Sequence, residues 1–384
     1  MNTYTIASEQ VLSGHPDRLC DIVSDTILEA VLSEGKGKGP DGSNPNRAGI
    51  ECMATKNLLI ISGEVHCGSR LDYEGIAREA IKNIGYANGS GWDYDKIAVM
   101  ECIKKQSPNI NAAVGSGRGG DFIGAGDQGI MFGYATNETP EFMPAGYVLA
   151  KQIAAILDNW GQRGADYDSR YRLGPDGKCQ VVLEYYEGRP VDLKHVSVSM
   201  MTRNSNHLRD VVHGDVMEKL RAKCSELRIM SDKAIVSVNP PDGIWAFGGP
   251  NADTGLTGRK IICDTYGGYA RHGGGALSGK DPTKVDRTGA YMARYIAVCL
   301  VGMGLADRLE VQLSFEMGCK TPLSIMVDKF GAGGPDESAV KALMEAMAPS
   351  TVGGAIEKFD LFNIPYSQVP SKGHFGTLEW GWDK

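Results

Sequence analysis

Hydrophobic residues recur at helical spacing over 16–32, where Leu19, Ile22, Val23, Ile27, Ala30 and Val31 share a face. With Pro16 in the first turn, the pattern predicts a helix. The polar, Gly-rich stretch 33–48 reads as a loop. The apolar run 58–61 and its flanks predict a buried strand. Tyr73, Ile76, Ala77, Ala80, Ile81 and Ile84 predict a second amphipathic helix, and 99–103 a further strand. Residues 107–125 carry no period, and so long a structureless loop is usually functional or mobile.

Beyond a helix near 145–160, segments 180–185 and 195–201 read as the strands of one hairpin. A helix follows with Leu208, Val211, Val212, Met217, Leu220, Cys224 and Leu227 on its apolar face. Short strands are expected at 234–238 and 260–265, and a strong helix at 285–304. Leu309, Val311, Leu313, Phe315 and Met317 alternate as a half-buried strand does, and a last helix is expected at about 336–348. Strands and helices are interspersed throughout, which makes the class α/β or α+β. No internal repeat is visible in the sequence.

Composition narrows the function. The 384 residues include 50 Gly and 17 Pro, too few to signal low complexity, and 42% are hydrophobic, enough for two or three cored domains. A net charge of −7 argues against non-specific nucleic-acid binding, which needs a cationic surface. The apolar stretch 295–306 has only twelve residues, against the roughly twenty of a spanning helix. The N-terminus lacks the basic and apolar regions of a signal peptide. Nine scattered cysteines, never spaced C-x-x-C, argue against a disulfide framework or a structural zinc. These features point to a cytoplasmic protein.

Two Gly-rich motifs fail on context. Gly115 to Gly120 matches G-x-G-x-x-G but lacks the preceding strand and following helix of a dinucleotide site. Gly274 to Lys280 starts like a P-loop, yet Asp281 replaces the magnesium-binding Ser/Thr. The wider region 253–287 holds six cations (Arg259, Lys260, Arg271, Lys280, Lys284, Arg287) against four acids. A basic run is ordinarily a solvated face. Here the adjacent glycines suggest close backbone approach to a ligand and turn the reading towards a polyphosphate. His15, Pro16 and Asp17 open the first helix, where an anion is favoured and Asp17 suits magnesium, although taken alone a plain first-turn acid is the more ordinary reading. The stripe Asp21, Asp25, Glu29 reads as a solvated face. Asp127 lies among glycines, with an Asx turn as the ordinary alternative, and 175–178 reads as a hairpin turn.

Taken together, the blocks GHPDR (14–18), KQSPNIN (105–111), GAGDQGIMFGYATNETPEFMP (124–144), GLTGRKIICDTYGG (255–268) and HGGGALSGKDPTKVDR (272–287) resemble the S-adenosylmethionine synthetases. The likeness runs from Ser8 to Gly376. It implies a three-domain α/β fold of pseudo-threefold, βαβ-type repeats. The domains would be 1–112, 113–235 and 236–384, interleaved, with a gating loop near 107–125. It implies a homodimer with shared active sites, commonly paired into a homotetramer. The reaction would join ATP and L-methionine into S-adenosylmethionine, with hydrolysis of the tripolyphosphate, using Mg2+ (two per site) and K+.

The resemblance also implies site residues. Lys178, Arg259, Lys260, Lys280 and Lys284 would surround the triphosphate, with Lys284 also near methionine. His15 would lie at the breaking C5′–O bond and Asp127 near the nascent sulfonium. Asp176, Asp253, Trp245 and Ala276 would bind the nucleotide, and Asp253 methionine as well. Glu64 and Gln106 match methionine-binding positions, Asp17 and Asp286 magnesium ligands, and Glu51 the potassium ligand. Some positions depart from the family pattern. Arg18 stands where Lys is usual, Trp245 where Phe is common, and 200–206 lacks a Gln-His pair. The chain also stops soon after Trp382, without the C-terminal helical extension of many members. A non-catalytic nucleotide-binding relative and a polyphosphate hydrolase are the alternative functions.

Overall fold

The computed structural model describes residues 3–34, 46–87, 90–106, 124–162, 173–240, 244–331, 342, 346 and 348–384. The helix expected at 336–348 lies almost entirely outside the described residues, as do the motif at 115–120 and most of the loop 107–125. In chain order the elements begin with β1 (Thr3–Val11), α1 (Pro16–Ser33), β2 (Arg47–Thr55), β3 (Leu58–His66), α2 (Tyr73–Ile84) and β4 (Ala98–Lys105). Then come β5 (Gly129–Thr136), α3 (Ala145–Gln162), β6 (Leu173–Tyr186), β7 (Arg189–Thr202), α4 (Ser205–Val211), α5 (Met217–Glu226) and β8 (Ile235–Val238). Last are β9 (Gly255–Leu256), α6 (Ile261–Asp264), α7 (Val285–Gly302), β10 (Arg308–Phe315), β11 (Ser324–Asp328) and α8 (Val352–Lys358).

These strands form three sheets, ordered β4-β3-β2-β9, β1-β6-β7-β8 and β11-β10-β5. Each sheet has its own apolar core. Leu19, Val23 and Ile27 of α1 and Ile81 of α2 pack with Ile50, Cys52, Leu59 and Ile61. Leu149, Ile153 and Leu157 of α3 pack with Val181, Leu183, Val196 and Val198, together with Leu208 and Leu220. Tyr291, Ile296 and Leu300 of α7 pack with Met131, Leu309, Val311 and Leu313. The fold is thus a mixed α/β architecture of three helix-faced sheets. The sheets also exchange strands in a cycle: β1 joins β6, β5 joins β10, and β9 joins β2.

Close backbone contact sets α7 against its sheet. At Gly133 in β5, a Cβ would lie 2.0 Å from the carbonyl carbon of Ala293. Buried ion pairs fix α7 in place, one of them to α1. Arg287 of α7 makes a two-pronged pair with Asp25 of α1, at 2.8 and 2.7 Å. Arg294 donates to Asp383 at 2.8 Å and to the carbonyls of Tyr134, Glu141 and Phe142. All nine cysteines are free. No helix among the described residues is long and apolar enough to cross a membrane.

Four expectations need correction. Segment 260–265 is a helical turn, α6, rather than a strand: Asp264 N–H bonds the Lys260 carbonyl at 2.9 Å and Thr265 Oγ1 the Ile261 carbonyl at 2.8 Å. The turn lets Asp264 meet Arg18 while the Cys263 carbonyl accepts from Gln10, contacts a flat strand of β-branched residues would forgo. Residues 175–178 are no hairpin turn but an extended part of β6, with irregular register between Leu173 and Gly177. The hairpin turns instead at Glu187 and Gly188, whose φ values of 48° and 82° match a primed turn. The helix expected around Leu208–Leu227 is interrupted by a π-turn over Val212–Val216, and Met317, half exposed, lies beyond the end of β10.

Candidate active site

A cleft of about 470 Å³ opens between the face of β2, β3 and β4 and the segment that enters α7. Glu51, Glu64 and Lys104 line its sheet side, and Asp127, Lys280, Lys284 and Asp286 the other. Ala276, Thr257 and the buried Ser278 complete the wall. Lys280 and Lys284 therefore do face one space, as their charge and glycine neighbours suggested. Each is held by a carboxylate: Lys280 pairs with Asp286, and Lys284 Nζ donates to Asp281 Oδ2 at 2.6 Å. Burial works to raise Asp281, but Lys284 and the Thr283 bonds outweigh it and hold the carboxyl below its usual value. Asp281, which spoils the P-loop pattern, thus organises the α7 entrance, where its Oδ1 accepts from Thr283 N–H and Oγ1 at 2.8 and 2.7 Å.

A second group stands at the start of α1. Lys260 is ion-paired with Asp17, whose Oδ1 accepts Leu256 N–H at 3.0 Å and lies 3.6 Å from Arg259 Nε. Burial works to raise Asp17; Lys260 and the Leu256 N–H together hold it below the ordinary carboxylate value. His15 caps α1, its Nδ1 accepting Asp17 N–H at 3.2 Å, so the neutral ring carries its proton on Nε2. Burial, then Lys260, Lys178 and Arg18, push His15 down to about 3 against the opposing pull of Asp17. Lys178, exposed on β6, thus shares the field of His15 with Lys260. This group adjoins the cleft through Gly258, where a Cβ would lie 2.4 Å from Ala276 Cβ.

The third group surrounds Asp176. Its Oδ2 accepts Gly249 N–H at 2.7 Å, while its buried Oδ1 has no partner among the described residues. Burial pushes Asp176 up to about 6, against the Gly249 N–H and Lys178, with Asp253 adding repulsion. Asp253 is exposed, and its Oδ1 turns back to Thr254 N–H at 2.9 Å. Trp245 is partly buried and anchors Thr202 N–H through its carbonyl at 2.7 Å, outside the lining of the cleft. Gln106 follows β4; its N–H reaches the Val65 carbonyl at 3.1 Å and its buried Oε1 is unpartnered among the described residues.

Several important residues eluded sequence reasoning. Asp21 and Asp25 are fully buried rather than solvated; Asp21 accepts from Gly258 N–H and Asp25 from Gly279 N–H. Glu29 is partly buried and accepts Ser367 N–H at 2.8 Å. Among the six cations of the basic region, Arg287 is consumed by Asp25, and Arg271 pairs with Glu310 and Asp328. The four-residue helical spacing of Asp21, Asp25 and Glu29 alone could not distinguish an outward stripe from a buried one.

No group of three or more His, Cys, Asp or Glu among the described residues is placed to hold a metal ion. Asp17 and Asp286 nevertheless offer hard oxygen donors beside cationic walls, which suits a magnesium that takes its other ligands from phosphates and water. Chemically, the assembly can bind a polyanion, stabilise charge leaving along it, and hold a neutral imidazole donor at its edge.

Known proteins resemble this chain along nearly its whole length. The chain matches in order the domains described as S-adenosylmethionine synthetase N-terminal domain (3–108), central domain (122–244) and C-terminal domain (247–384). It is 39% identical to an S-adenosylmethionine synthase of Synechocystis over 99% of this chain and 93% of that protein. A Synechococcus S-adenosylmethionine synthase is 41% identical over 98% of this chain and 94% of its own. Through all three of its sheets and almost all of its length, the chain belongs to the S-adenosylmethionine synthetase family.

Proposed function

We propose that the cleft and the two groups beside it form one methionine adenosyltransferase site with the residue roles given below. The chain is a methionine adenosyltransferase, and its substrates are ATP and L-methionine. The observation that carries the assignment is the convergence of Lys280, Lys284, Asp286 and Asp127 on one cleft with Glu51 and Glu64, beside the Asp17–Lys260 pair.

Attack of the methionine sulfur on ATP C5′ forms the S–C5′ bond and breaks C5′–O, with the electron pair leaving on the triphosphate. A neutral thioether needs no general base. What grows in the transition state is charge on the leaving oxygen, so preorganised cations supply the rate. Lys178, Arg259, Lys260, Lys280 and Lys284 take that role. His15, neutral and with its proton on Nε2, donates to the departing oxygen. Asp127 meets the developing sulfonium. The unpartnered Asp176 Oδ1 suits a nucleotide hydroxyl, with Asp253 beside it, Trp245 stacked on the base and Ala276 along the phosphates. The orphan Gln106 Oε1 suits the ammonium of methionine, together with Glu64, Asp253 and Lys284.

Asp17 and Asp286 would hold magnesium, two ions per site, in exchange for their lysine partners. Magnesium when bound neutralises triphosphate charge. Glu51, exposed on β2 at the cleft wall, would hold potassium. The loop near 107–125 would gate the site. The protein would act in the cytoplasm as a homodimer with shared sites, paired into a homotetramer. Its covalent domains would be 1–112, 113–235 and 236–384.

Mass spectrometry of a reaction with ATP, L-methionine, Mg2+ and K+, with phosphate assayed in the presence and absence of methionine, tests the assignment. S-adenosylmethionine with methionine-dependent phosphate and diphosphate is expected. Methionine-independent phosphate release would mark a polyphosphate hydrolase instead, and ATP binding without product a non-catalytic relative.

A further inference from the structure

Helix α1 carries Asp17, Asp21 and Asp25 at four-residue spacing, so three carboxylates stand on one face roughly 6 Å apart along the axis. All three are buried, and each accepts a backbone N–H from a segment that bears site cations. Asp17 takes Leu256 N–H at 3.0 Å, Asp21 takes Gly258 N–H at 2.8 Å, and Asp25 takes Gly279 N–H at 2.7 Å. Gly258 directly precedes Arg259 and Lys260, and Gly279 directly precedes Lys280.

Both glycines have left-handed backbone, with φ of 80° and 77°, and neither has room for a side chain. A Cβ at Gly279 would lie 2.0 Å from the Ile50 carbonyl oxygen. Other tethers act at the same places. Ser24 Oγ meets Thr257 Oγ1 at 2.6 Å, and Thr257 Oγ1 also accepts Cys52 N–H at 2.9 Å. Arg287 clamps Asp25 from the far side, so the carboxylate cannot turn away from Gly279. The two cation-bearing loops thus hang from one rigid helix, although they are twenty residues apart in sequence.

We propose that Asp21 and Asp25 are positioning residues, which fix the loops that carry Lys260 and Lys280 beside the triphosphate through the N–H groups of Gly258 and Gly279. Lysine side chains are long and rotatable, so their base must be fixed if charge is to be preorganised. The acidic stripe of α1 is the ruler against which both loops are set. The inference rests on the proposed triphosphate role of Lys260 and Lys280.

The test compares Asp21→Ala and Asp25→Ala, which remove the acceptors of the glycine N–H groups, with Asp383→Asn, which breaks a buried arginine pair of similar burial not bonded to either loop. Each is measured for kcat per folded molecule, for KM, for melting temperature and for affinity towards inorganic tripolyphosphate. The ladder variants should lose about tenfold or more in kcat and about fivefold in tripolyphosphate affinity. Asp383→Asn should melt earlier yet keep kcat within about twofold. If the ladder variants melt earlier but keep kcat and tripolyphosphate affinity within twofold, the carboxylates are scaffold only and the proposal falls. Asp21→Asn and Asp25→Asn, whose amide oxygen can still accept the glycine N–H, decide the matter should the alanine variants not fold. They should keep tripolyphosphate affinity within about twofold, and a tenfold loss there would show that the charge and not the N–H tether acts, which overturns the proposal. Lys280→Ala separates this failure from that of the underlying assignment: undiminished tripolyphosphate affinity there would show that the lysine is not a triphosphate ligand at all.

Discussion

Gly133→Ala joins packing to activity in one substitution. The added methyl would sit 2.0 Å from the Ala293 carbonyl carbon, 2.1 Å from its oxygen and 2.4 Å from Arg294 N. All three are backbone atoms inside α7, which cannot rotate aside. Helix and strand must therefore separate by about 1 Å or more, and overpacking of this kind costs about 1–3 kcal/mol. The upper end applies, because retreat of α7 also loosens Tyr291, Ile296 and Leu300 against Met131, Val311 and Leu313. The N-terminus of the same helix carries Asp286 and follows directly on Lys284, and a 1 Å misplacement can cost about a hundredfold in rate. Gly188→Ala is the comparator. It imposes left-handed strain at φ 82° but meets no atom within 4 Å, so it should cost about 1–2 kcal/mol and leave turnover alone. Urea unfolding followed by tryptophan fluorescence, with kcat/KM for S-adenosylmethionine formation, measures both effects. If Gly133→Ala unfolds at the wild-type midpoint with wild-type kcat/KM, the claim that backbone contact sets the position of α7 is wrong.

The state of His15 gives a pH prediction. Its folded pKa near 3 lies below the unfolded value of about 6.5, so the stability it contributes is fully present above 6.5 and is lost as pH falls towards 3. NMR of the free protein should show a neutral ring throughout pH 5–8, and His15→Gln should flatten the acid limb of the stability profile; a midpoint near 6.5 would contradict the burial argument. Trp245→Ala removes the proposed stacking surface, worth about 1–3 kcal/mol per base, and should raise the KM for ATP about tenfold with kcat little changed. An unaltered KM would place the base elsewhere.

Much of the architecture was legible along the chain wherever one periodicity ran long enough. α1, α2, α3 and α7 follow directly from their apolar stripes, as does β10 from its alternation. The failures share a cause: contacts distant in sequence overrode local preference. Ile261 and Ile262 favour a strand by type, yet the partners of Cys263 and Asp264, Gln10 and Arg18, arrive from about 250 residues earlier and bend the segment into a turn. Pro175, Asp176 and Gly177 have turn chemistry, but Asp176 is held extended by Gly249 N–H. The acidic stripe of α1 looked solvated because its acceptors are satisfied by glycine amides and arginines that no local pattern reveals. The cations of the site could be grouped from their glycine-rich setting, whereas the sorting of Lys280 from Arg287 needed three dimensions.

The cyclic strand exchange has a consequence for synthesis on the ribosome. β1 is made first but finds its neighbour only after Val181 and its flanks have left the exit tunnel, and β5 waits for residues beyond 308. The first sheet lacks its last strand until Leu256 emerges. The central sheet has all its strands once Val238 is made and the first sheet once Leu256 is, whereas the β11-β10-β5 sheet must wait for Asp328. Every sheet therefore closes in the second half of translation, two of them before α7 is made and the third after it.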